Sequence, residues 1–243
     1  MTLTVVVPCF NEADRFDPEA FRTYEVGSVD FLFVDDGSTD GTAALLEQLV
    51  GIDPTRFRVL TLDHNVGKAE AVRQGILRAF EDGPDYVGFL DADLSTGLDE
   101  IPAMVALLDE RPSILGVIGS RVRLLGRRID RRLGRHYAGR VFATLASMVL
   151  RLPVYDTQCG AKFFRATPAV ASVFAEPFLS RWVFDVELLA RFVRLGVADG
   201  LDPTEILVEH PLTEWRDVPG SKVRFTHGFR ALFDLVRIRR RYR

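Results

Sequence analysis

The sequence is poor in several features that would assign a protein class at once. Its 243 residues contain only two cysteines, Cys9 and Cys159, too few for a disulfide framework, so a reducing compartment is the simpler expectation. The longest uncharged run near the middle, residues 141–150, is far short of the ~20 residues of a membrane-spanning helix. No basic segment or cleavage site precedes the first strand pattern, so we expect no signal peptide. The composition, 47% hydrophobic and 27% charged, is that of a globular protein with a full core.

Two common nucleotide-binding motifs are also missing. The first predicted strand is followed by Pro8-Cys9-Phe10-Asn11-Glu12, where a dinucleotide-binding dehydrogenase needs Gly-x-Gly-x-x-Gly. No Gly-x-x-x-x-Gly-Lys-Ser/Thr run exists, which excludes a P-loop. A sugar-1-phosphate nucleotidyltransferase would carry a Gly-rich loop with Lys or Arg after the first strand, and this is absent too. Phosphates, if bound, must be held in another way.

Short apolar runs alternate with helical patterns along the first half of the chain. Continuous β-branched runs are typical of strands buried on both faces of a parallel sheet, and strands alternating with helices of about ten residues predict such a sheet with helices on both faces. The fold class is therefore α/β. The predicted strands are residues 3–7, 31–34, 58–62, 86–90 and 115–119, and the predicted helices are 43–50, 70–80 and 98–108.

Polar clusters follow these strands at the points where each strand ends. Because parallel sheets bind ligands outside the carboxyl ends of their strands, these clusters are expected to meet at one edge and to form a nucleotide-binding site. The clusters are Asn11-Glu12, Asp35-Asp36-Gly37, Gly67-Lys68, Asp91-Ala92-Asp93 and Ser120-Arg121.

The pair Asp91 and Asp93 follows the fourth strand. Alternate side chains of a strand share a face, so the two carboxylates can point the same way. Hard carboxylate oxygens suit Mg²⁺ or Mn²⁺, often shared with the phosphates of a substrate. Alternatively, Asp-x-Asp is an ordinary exit from a strand into a turn. The coincidence with the other clusters favours the metal site.

The charges are divided unevenly between the two halves. Residues 1–120 carry 8 basic against 22 acidic side chains, whereas the remaining residues carry 23 against 12. Nine arginines and one acidic residue, Asp130, fall within 121–151. This clustering predicts an acidic partner or a membrane surface for the second half, although single arginines more often solvate a helix face.

The second half contains fewer clear elements. A helix is predicted from Arg181 to about Leu195, and an edge strand at 206–208. Residues 141–150 carry an apolar stripe, and residues 225–236 follow the spacing of an amphipathic helix that ends in five arginines. A basic amphipathic helix can lie in an anionic membrane interface. An ordinary core helix is the alternative for both segments.

With these motifs in place, the chain resembles family 2 glycosyltransferases of the A-type fold. The resemblance spans residues 3–222 and, within the family, the runs at 156–162 and 181–188 look most like dolichyl-phosphate β-glucosyltransferases. Polyprenyl-phosphate mannosyltransferases, which use GDP-mannose, are the alternative. The motifs that carry the resemblance to family 2 are Val-Val-Val-Pro-Cys-Phe-Asn-Glu at 5–12, Val-Asp-Asp-Gly-Ser-Thr-Asp-Gly-Thr at 34–42, Asn-Val-Gly-Lys at 65–68 and Asp-Ala-Asp at 91–93.

The resemblance implies inverting transfer of glucose from UDP-glucose to a polyprenyl phosphate, with Mg²⁺ or Mn²⁺. Asp93 would ligate the cation, Asp91 would face the donor and Asp156 would lie near the acceptor, although Asp156 is also a turn former. Residues 1–222 would form the catalytic domain, with a donor half at 1–120 and an acceptor half at 121–222, and 223–243 the C-terminal helix. The residues implied to bind the donor are Pro8, Asn11, Glu12, Asp36, Gly67, Lys68, Asp91, Ser221 and Lys222.

A phosphate acceptor has different needs from an alcohol. A phosphomonoester is largely dianionic at neutral pH because its second pKa is ~6, so it needs cations rather than a general base. Guanidinium groups match phosphate well. If the acceptor is instead an alcohol, Asp185 and Glu187 are candidate general bases. The residues expected to hold an acceptor phosphate are Arg121, Arg135, Arg140 and Arg216.

One departure from the motifs of the family narrows the range of activities expected for this chain. Processive synthases carry Gln-x-x-Arg-Trp, whereas Phe178 precedes Arg181-Trp182 here, which argues against polymerisation. The resembled eukaryotic enzymes usually have an N-terminal membrane anchor that this sequence does not contain, so we expect peripheral association with the cytoplasmic face of a membrane. No nucleic-acid partner is expected. A non-catalytic sugar-nucleotide-binding module with the same fold is a further alternative.

Overall fold

The computed structural model describes residues 1–130, 133–218 and 227–242, with side chains for all of these except 133–138 and 227–229. The five strands predicted in the first half are all present, each within a few residues of its predicted bounds. The strands are β1 Thr2–Cys9, β2 Ser28–Asp35, β3 Phe57–Thr61, β4 Tyr86–Phe89, β5 Gly116–Ser120, β6 Arg128–Ile129, β7 Lys162–Arg165, β8 Leu207–Pro211 and β9 Glu214–Trp215.

The helices cover both faces of the sheet, as predicted. A short 3₁₀ turn at Leu98–Glu100 leads into the fourth helix. The helices are α1 Pro18–Arg22, α2 Thr42–Ile52, α3 Lys68–Glu81, α4 Ile101–Glu110, α5 Leu133–Leu150, α6 Pro168–Phe174, α7 Phe184–Ala198, α8 Pro203–Ile206 and α9 His227–Tyr242.

Seven strands form one sheet in the order β3-β2-β1-β4-β7-β5-β8. All neighbours pair in parallel except at β7, which is antiparallel to both β4 and β5. The fold class is therefore confirmed as a mostly parallel sheet, and β8 lies at its edge as expected. Because β7 comes from the second half of the chain and lies between two strands of the first, the two halves share a single sheet.

The alternation of side chains along β1 explains why this run of valines is buried on both sides. Val5 and Val7 pack into the apolar cluster that includes α2 and α4, whereas Val6 packs into the opposite cluster with α3 and α7. All three valines are fully buried. A strand covered by helices on both faces has no polar face, so its sequence does not alternate between polar and apolar residues.

The C-terminal helix α9 buries a narrow face and exposes a broad one. Ala231, Leu235 and Ile238 are buried in the same cluster as α5 and α7. In contrast, Phe233 is 73% exposed and Val236 is 48% exposed. Across the described parts of the chain, every helix is too short or too polar to cross a bilayer.

Candidate functional site

The loops after β1 and β2 are tied together at the carboxyl edge of the sheet. The Asn11 backbone N–H donates to Ser38 Oγ at 3.0 Å, and Asn11 Oδ1 accepts from the Thr39 backbone N–H at 2.8 Å. Asn11 has a φ of 49°, a left-handed conformation in which asparagine is enriched. The Glu12 backbone N–H donates to Thr42 Oγ1 at 2.8 Å. The predicted donor residues Asn11 and Glu12 thus anchor the start of α2.

Asp36 ties the loop after β3 to the same edge. Its carboxylate accepts from the Val66 N–H at 2.7 Å, the Gly67 N–H at 2.9 Å and Asn65 Nδ2 at 2.9 Å. Burial raises the pKa of Asp36 above its ordinary value, although these backbone donors work against the rise. The Asp36 carboxylate therefore holds the 65–67 loop, and its predicted contact with the donor stays a prediction.

Lys68 and Asp91, which are predicted donor residues on different loops, form an ion pair. Lys68 Nζ lies 2.5 Å from Asp91 Oδ1. Burial lowers the pKa of Lys68, but Asp91, Asp185 and Asp93 outweigh it and leave this pKa raised. A β-carbon at Gly160 would overlap the Asp91 carboxylate. Gly160 thus provides the space in which Asp91 reaches Lys68.

Asp93 has its own cationic neighbour, which the sequence did not indicate. Its Oδ1 accepts from the Ser95 backbone N–H at 3.0 Å and from Ser95 Oγ at 2.6 Å. Its Oδ2 lies 3.7 Å from Arg15 Nη1, and Arg15 also pairs with Glu12 at 2.5 Å. Arg15 therefore joins the loop after β1 to the loop after β4.

Arg121 and Asp156 form a two-point ion pair, which brings together a predicted acceptor residue and a predicted catalytic one. Arg121 Nε donates to Asp156 Oδ2 at 2.6 Å and Nη2 donates to Oδ1 at 2.8 Å. Burial lowers the pKa of Arg121, but Asp156 more than offsets this and the pKa is raised. Glu209 of β8 accepts from the backbone N–H groups of Tyr155 and Asp156 at 2.7 and 2.8 Å.

Arg140 joins Arg121 and Asp156 in lining a cavity of about 10 Å³ beside α5, room for about one water molecule. Its Nη1 donates to the Tyr155 carbonyl at 2.8 Å. Its guanidinium carbon lies 3.5 Å from the centre of the Tyr155 ring. Arg140 and Arg121 thus line one small cavity, and their contact with an acceptor phosphate stays a prediction.

Other predicted residues lie outside this constellation or outside the described chain. Pro8 lies in β1 opposite Val34. The Arg216 side chain is 74% exposed and pairs with Glu214 at 2.6 Å, while its backbone N–H donates to the Ser95 carbonyl at 3.0 Å. Three predictions fall outside the described positions: the Arg135 side chain, Ser221 and Lys222.

The two carboxylates expected as alternative bases are both buried in ion pairs. Asp185 Oδ1 accepts from Lys162 Nζ at 2.6 Å, and this lysine is fully buried. Glu187 is also fully buried and accepts from Arg191 and from the Tyr242 hydroxyl, each at 2.8 Å. Both carboxylates are thus engaged by basic partners, and a role for Asp185 or Glu187 as a base for an alcohol acceptor stays a prediction.

Among the solved structures, glucosyl-3-phosphoglycerate synthase from Mycobacterium tuberculosis aligns with a TM-score of 0.65. The alignment covers 98% of this chain and 79% of that one at 20% identity. A mannosyltransferase from Pyrobaculum calidifontis, solved with GDP-Man and Mn²⁺, aligns with a TM-score of 0.56, 90% and 58% coverage and 17% identity. At these identities the likeness shows the fold alone, and it agrees with the A-type fold.

Sequence comparison gives nearer relatives. The chain is 33% identical to dolichyl-phosphate β-glucosyltransferase of Homo sapiens, over 99% of this chain and 75% of the relative. It is 28% identical to the enzyme of that name from Saccharomyces cerevisiae, with the same two coverages. The family model described as glycosyl transferase family 2 matches residues 4–169, a span that contains the Asp36, Lys68, Asp91, Asp93, Arg121 and Asp156 positions. The chain belongs to glycosyl transferase family 2 and is a glycosyltransferase.

Proposed function

We propose that this enzyme transfers glucose from UDP-glucose to a polyprenyl phosphate, with inversion at the anomeric carbon. The observation that carries the proposal is the match along 99% of the chain to dolichyl-phosphate β-glucosyltransferases. The carboxyl edge of the sheet supports it with acidic groups beside the donor loops and two arginines beside α5. The acidic groups can hold a divalent cation, which a diphosphate leaving group requires, and the arginines supply the positive charge that a phosphate acceptor requires.

The donor end of the site offers two carboxylates for a divalent cation. In the described residues there is no cluster of three or more His, Cys, Asp or Glu side chains that could hold a metal. Mg²⁺, however, is commonly bound by one or two carboxylates together with substrate phosphates. Asp91 and Asp93 fit such a site and would hold Mg²⁺ or Mn²⁺. The bound cation supplies electrostatic stabilisation of the leaving diphosphate.

Lys68 and Arg15 contribute positive charge at the same place. Lys68 contacts Asp91 and Arg15 contacts Asp93. Both basic side chains therefore lie within reach of a diphosphate that approaches these carboxylates. Hydrogen bonds and ion pairs to charged groups are the strong ones in proteins. Lys68 and Arg15 therefore orient the donor phosphates and stabilise the charge that develops on them.

At the acceptor end, the arginines bind and orient the phosphate. A dianionic phosphate attacks without losing a proton, so no general base is required. Asp156 holds Arg121 in a fixed orientation through two hydrogen bonds, and both residues line the small cavity that they share with Arg140. A single in-line attack by this phosphate inverts the anomeric carbon. The cavity must widen to admit it.

A lipid acceptor requires access to a membrane surface, and two helices offer apolar side chains for it. Helix α5 exposes 64% of Val141 and 71% of Met148, and α9 exposes 73% of Phe233. The two helices belong to one cluster, and α9 ends in a run of arginines at 239–241. Apolar side chains flanked by arginine suit an anionic interface. We propose a peripheral position at the cytoplasmic face, where the buried thiols of Cys9 and Cys159 would stay reduced.

The proposal is tested by incubating the purified protein with a short-chain polyprenyl phosphate, Mg²⁺ or Mn²⁺, and labelled UDP-glucose or GDP-mannose. We expect label from UDP-glucose in the organic phase. Asp93→Asn should reduce the rate at least ~100-fold, the usual scale for losing one group that stabilises a developing charge. Asp63→Asn, which alters an exposed aspartate near the same edge, should leave the rate unchanged.

If label is transferred only from GDP-mannose, the assignment of UDP-glucose as donor is wrong and the assignment of a lipid phosphate as acceptor stands. Label that never reaches the organic phase with either donor rejects the lipid acceptor. If Asp93→Asn is as active as the parent protein with Mn²⁺ present, the assignment of the site is wrong.

A further inference from the structure

Arg181 joins the segment before α7 to the loop after β3. Its Nε donates to the Val66 carbonyl at 2.8 Å. Its Nη2 donates to the Asn65 carbonyl at 3.1 Å and to Asn65 Oδ1 at 3.2 Å. One planar guanidinium thus binds three oxygens of two consecutive residues, a fork geometry that lysine does not reproduce.

The loop that Arg181 holds is central to the donor end. Asp36 binds the N–H groups of Val66 and Gly67, so the loop is fixed through both its donors and its acceptors. Gly67 has a φ of 96°, and a β-carbon there would lie 2.6 Å from Arg181 Nε. The next residue is Lys68, which pairs with Asp91. Displacement of this loop would therefore move Lys68.

Arg181 is itself held by the C-terminal helix through its neighbour Ser180. Ser180 Oγ accepts from the backbone N–H groups of Trp182 and Val183 at 3.2 and 3.0 Å. The same hydroxyl donates to Asp234 Oδ2 of α9 at 2.6 Å. Ser180 is only 3% exposed, so its hydroxyl depends on these protein partners. This arrangement fixes the turn from which Arg181 extends.

We propose that Arg181 is a positioning residue for the nucleotide sugar: it holds the 65–67 loop, and thereby Lys68, in the geometry that binds the donor. The Ser180–Asp234 hydrogen bond makes α9 part of this support. The proposal rests on the proposed function for the identity of the ligand. The contacts between Arg181 and the loop are independent of it.

The test compares Arg181→Ala with Arg194→Ala, which removes an exposed arginine from the neighbouring helix α7. UDP binding in the presence of Mn²⁺ is measured by calorimetry. We expect the Kd to rise about tenfold in Arg181→Ala, equivalent to about 1.4 kcal/mol, because charged hydrogen bonds that hold the loop are lost, and to stay unchanged in Arg194→Ala. Arg181→Lys should fall between the parent protein and Arg181→Ala. With UDP-glucose, KM should rise more than kcat falls.

A second readout does not require any ligand. Amide hydrogen exchange of the peptide containing Val66 and Gly67 should be at least several-fold faster in Arg181→Ala, whereas peptides from β1 should exchange at the parent rate. Ser180→Ala should change exchange and Kd in the same direction by less. The inference is overturned if exchange and UDP binding in Arg181→Ala equal those of the parent. If the parent does not bind UDP at all, the proposed donor fails, and exchange alone decides on Arg181.

Discussion

At the residue scale, three acidic side chains of the site are each paired with a basic one from another loop: Asp91 with Lys68, Asp93 with Arg15, and Asp156 with Arg121. The pairs differ in burial, and this decides how they can act. Lys68 and Asp91 are 37% and 33% exposed, and pairs of this kind contribute only ~0–1 kcal/mol, so they can exchange partners when a donor binds. Arg121 and Asp156 are 13% and 9% exposed. Breaking a buried pair costs about 3–5 kcal/mol, so this pair acts as a fixed unit.

Gly160 gives a residue-scale prediction. Gly160→Ala places a methyl group where the Asp91 carboxylate lies, so Asp91 must rotate away from Lys68. We expect the rate of glucose transfer to fall at least ~10-fold, since displacing a group of an active site by about 1 Å can cost ~100-fold. Initial rates at saturating UDP-glucose measure the effect.

Gly51→Ala is the matched control. It makes the same change in α2 at a position where an added β-carbon meets open space, and helical alanine is more favourable than glycine by about 1 kcal/mol. Its rate should equal that of the parent protein. Equal rates for Gly160→Ala and Gly51→Ala would show that Asp91 need not remain in place.

At the element scale, the sequence predicted the parallel strands well and the inserted one poorly. Strands buried on both faces appear as unbroken apolar runs, as at β1 and β2. In contrast, β7 has only four residues, with a fully buried lysine at its start, and no local pattern indicates that it pairs between β4 and β5. Likewise α5 begins at Leu133, whereas the apolar stripe at 141–150 indicates only its second half, because the first half has little apolar periodicity.

The positions of the site loops were predictable, but their pairings were not. Polar residues after strands identify the edge of a parallel sheet. Which loops touch depends on strand order: β1 and β4 are neighbours, and this brings Arg15 to Asp93. Arg181 contacts Asn65, which lies 116 positions away in the chain. No pattern in a single sequence indicates this contact.

Helix α9 gives an element-scale prediction about the membrane. Phe233→Glu introduces a negative charge on the exposed apolar face while leaving the buried residues Leu235 and Ile238 intact. We expect sedimentation with vesicles rich in phosphatidylglycerol to fall severalfold, because both apolar burial and attraction to anionic lipid are lost. Substitutions at exposed positions usually change stability by less than ~0.5 kcal/mol, so thermal unfolding should not shift appreciably.

Val197→Glu is the control for this experiment. Val197 lies in α7 and is 67% exposed, close to the exposure of Phe233, but it lies outside both α5 and α9. Its vesicle binding should match that of the parent. If Phe233→Glu also binds vesicles as the parent does, α9 does not face the membrane.

At the scale of the whole molecule, the uneven distribution of charge follows the two ends of the proposed reaction. The acidic first half supplies Asp91 and Asp93, where a cation and the donor diphosphate would meet. The basic second half supplies Arg121, Arg140 and the arginines of α9, which in the proposed reaction would face an anionic acceptor and an anionic surface. Because β7 lies between β4 and β5, the two halves are fixed relative to each other in one sheet.

In the proposed reaction, the phosphate of a lipid attacks the donor sugar at this edge of the sheet. Mass spectrometry of a short-chain polyprenyl phosphate, after incubation with the enzyme, UDP-glucose and Mg²⁺, tests this step. We expect a lipid product with one added hexose, linked through the phosphate and released by mild acid. Free glucose with unmodified lipid, or a product carrying several hexoses, would contradict it.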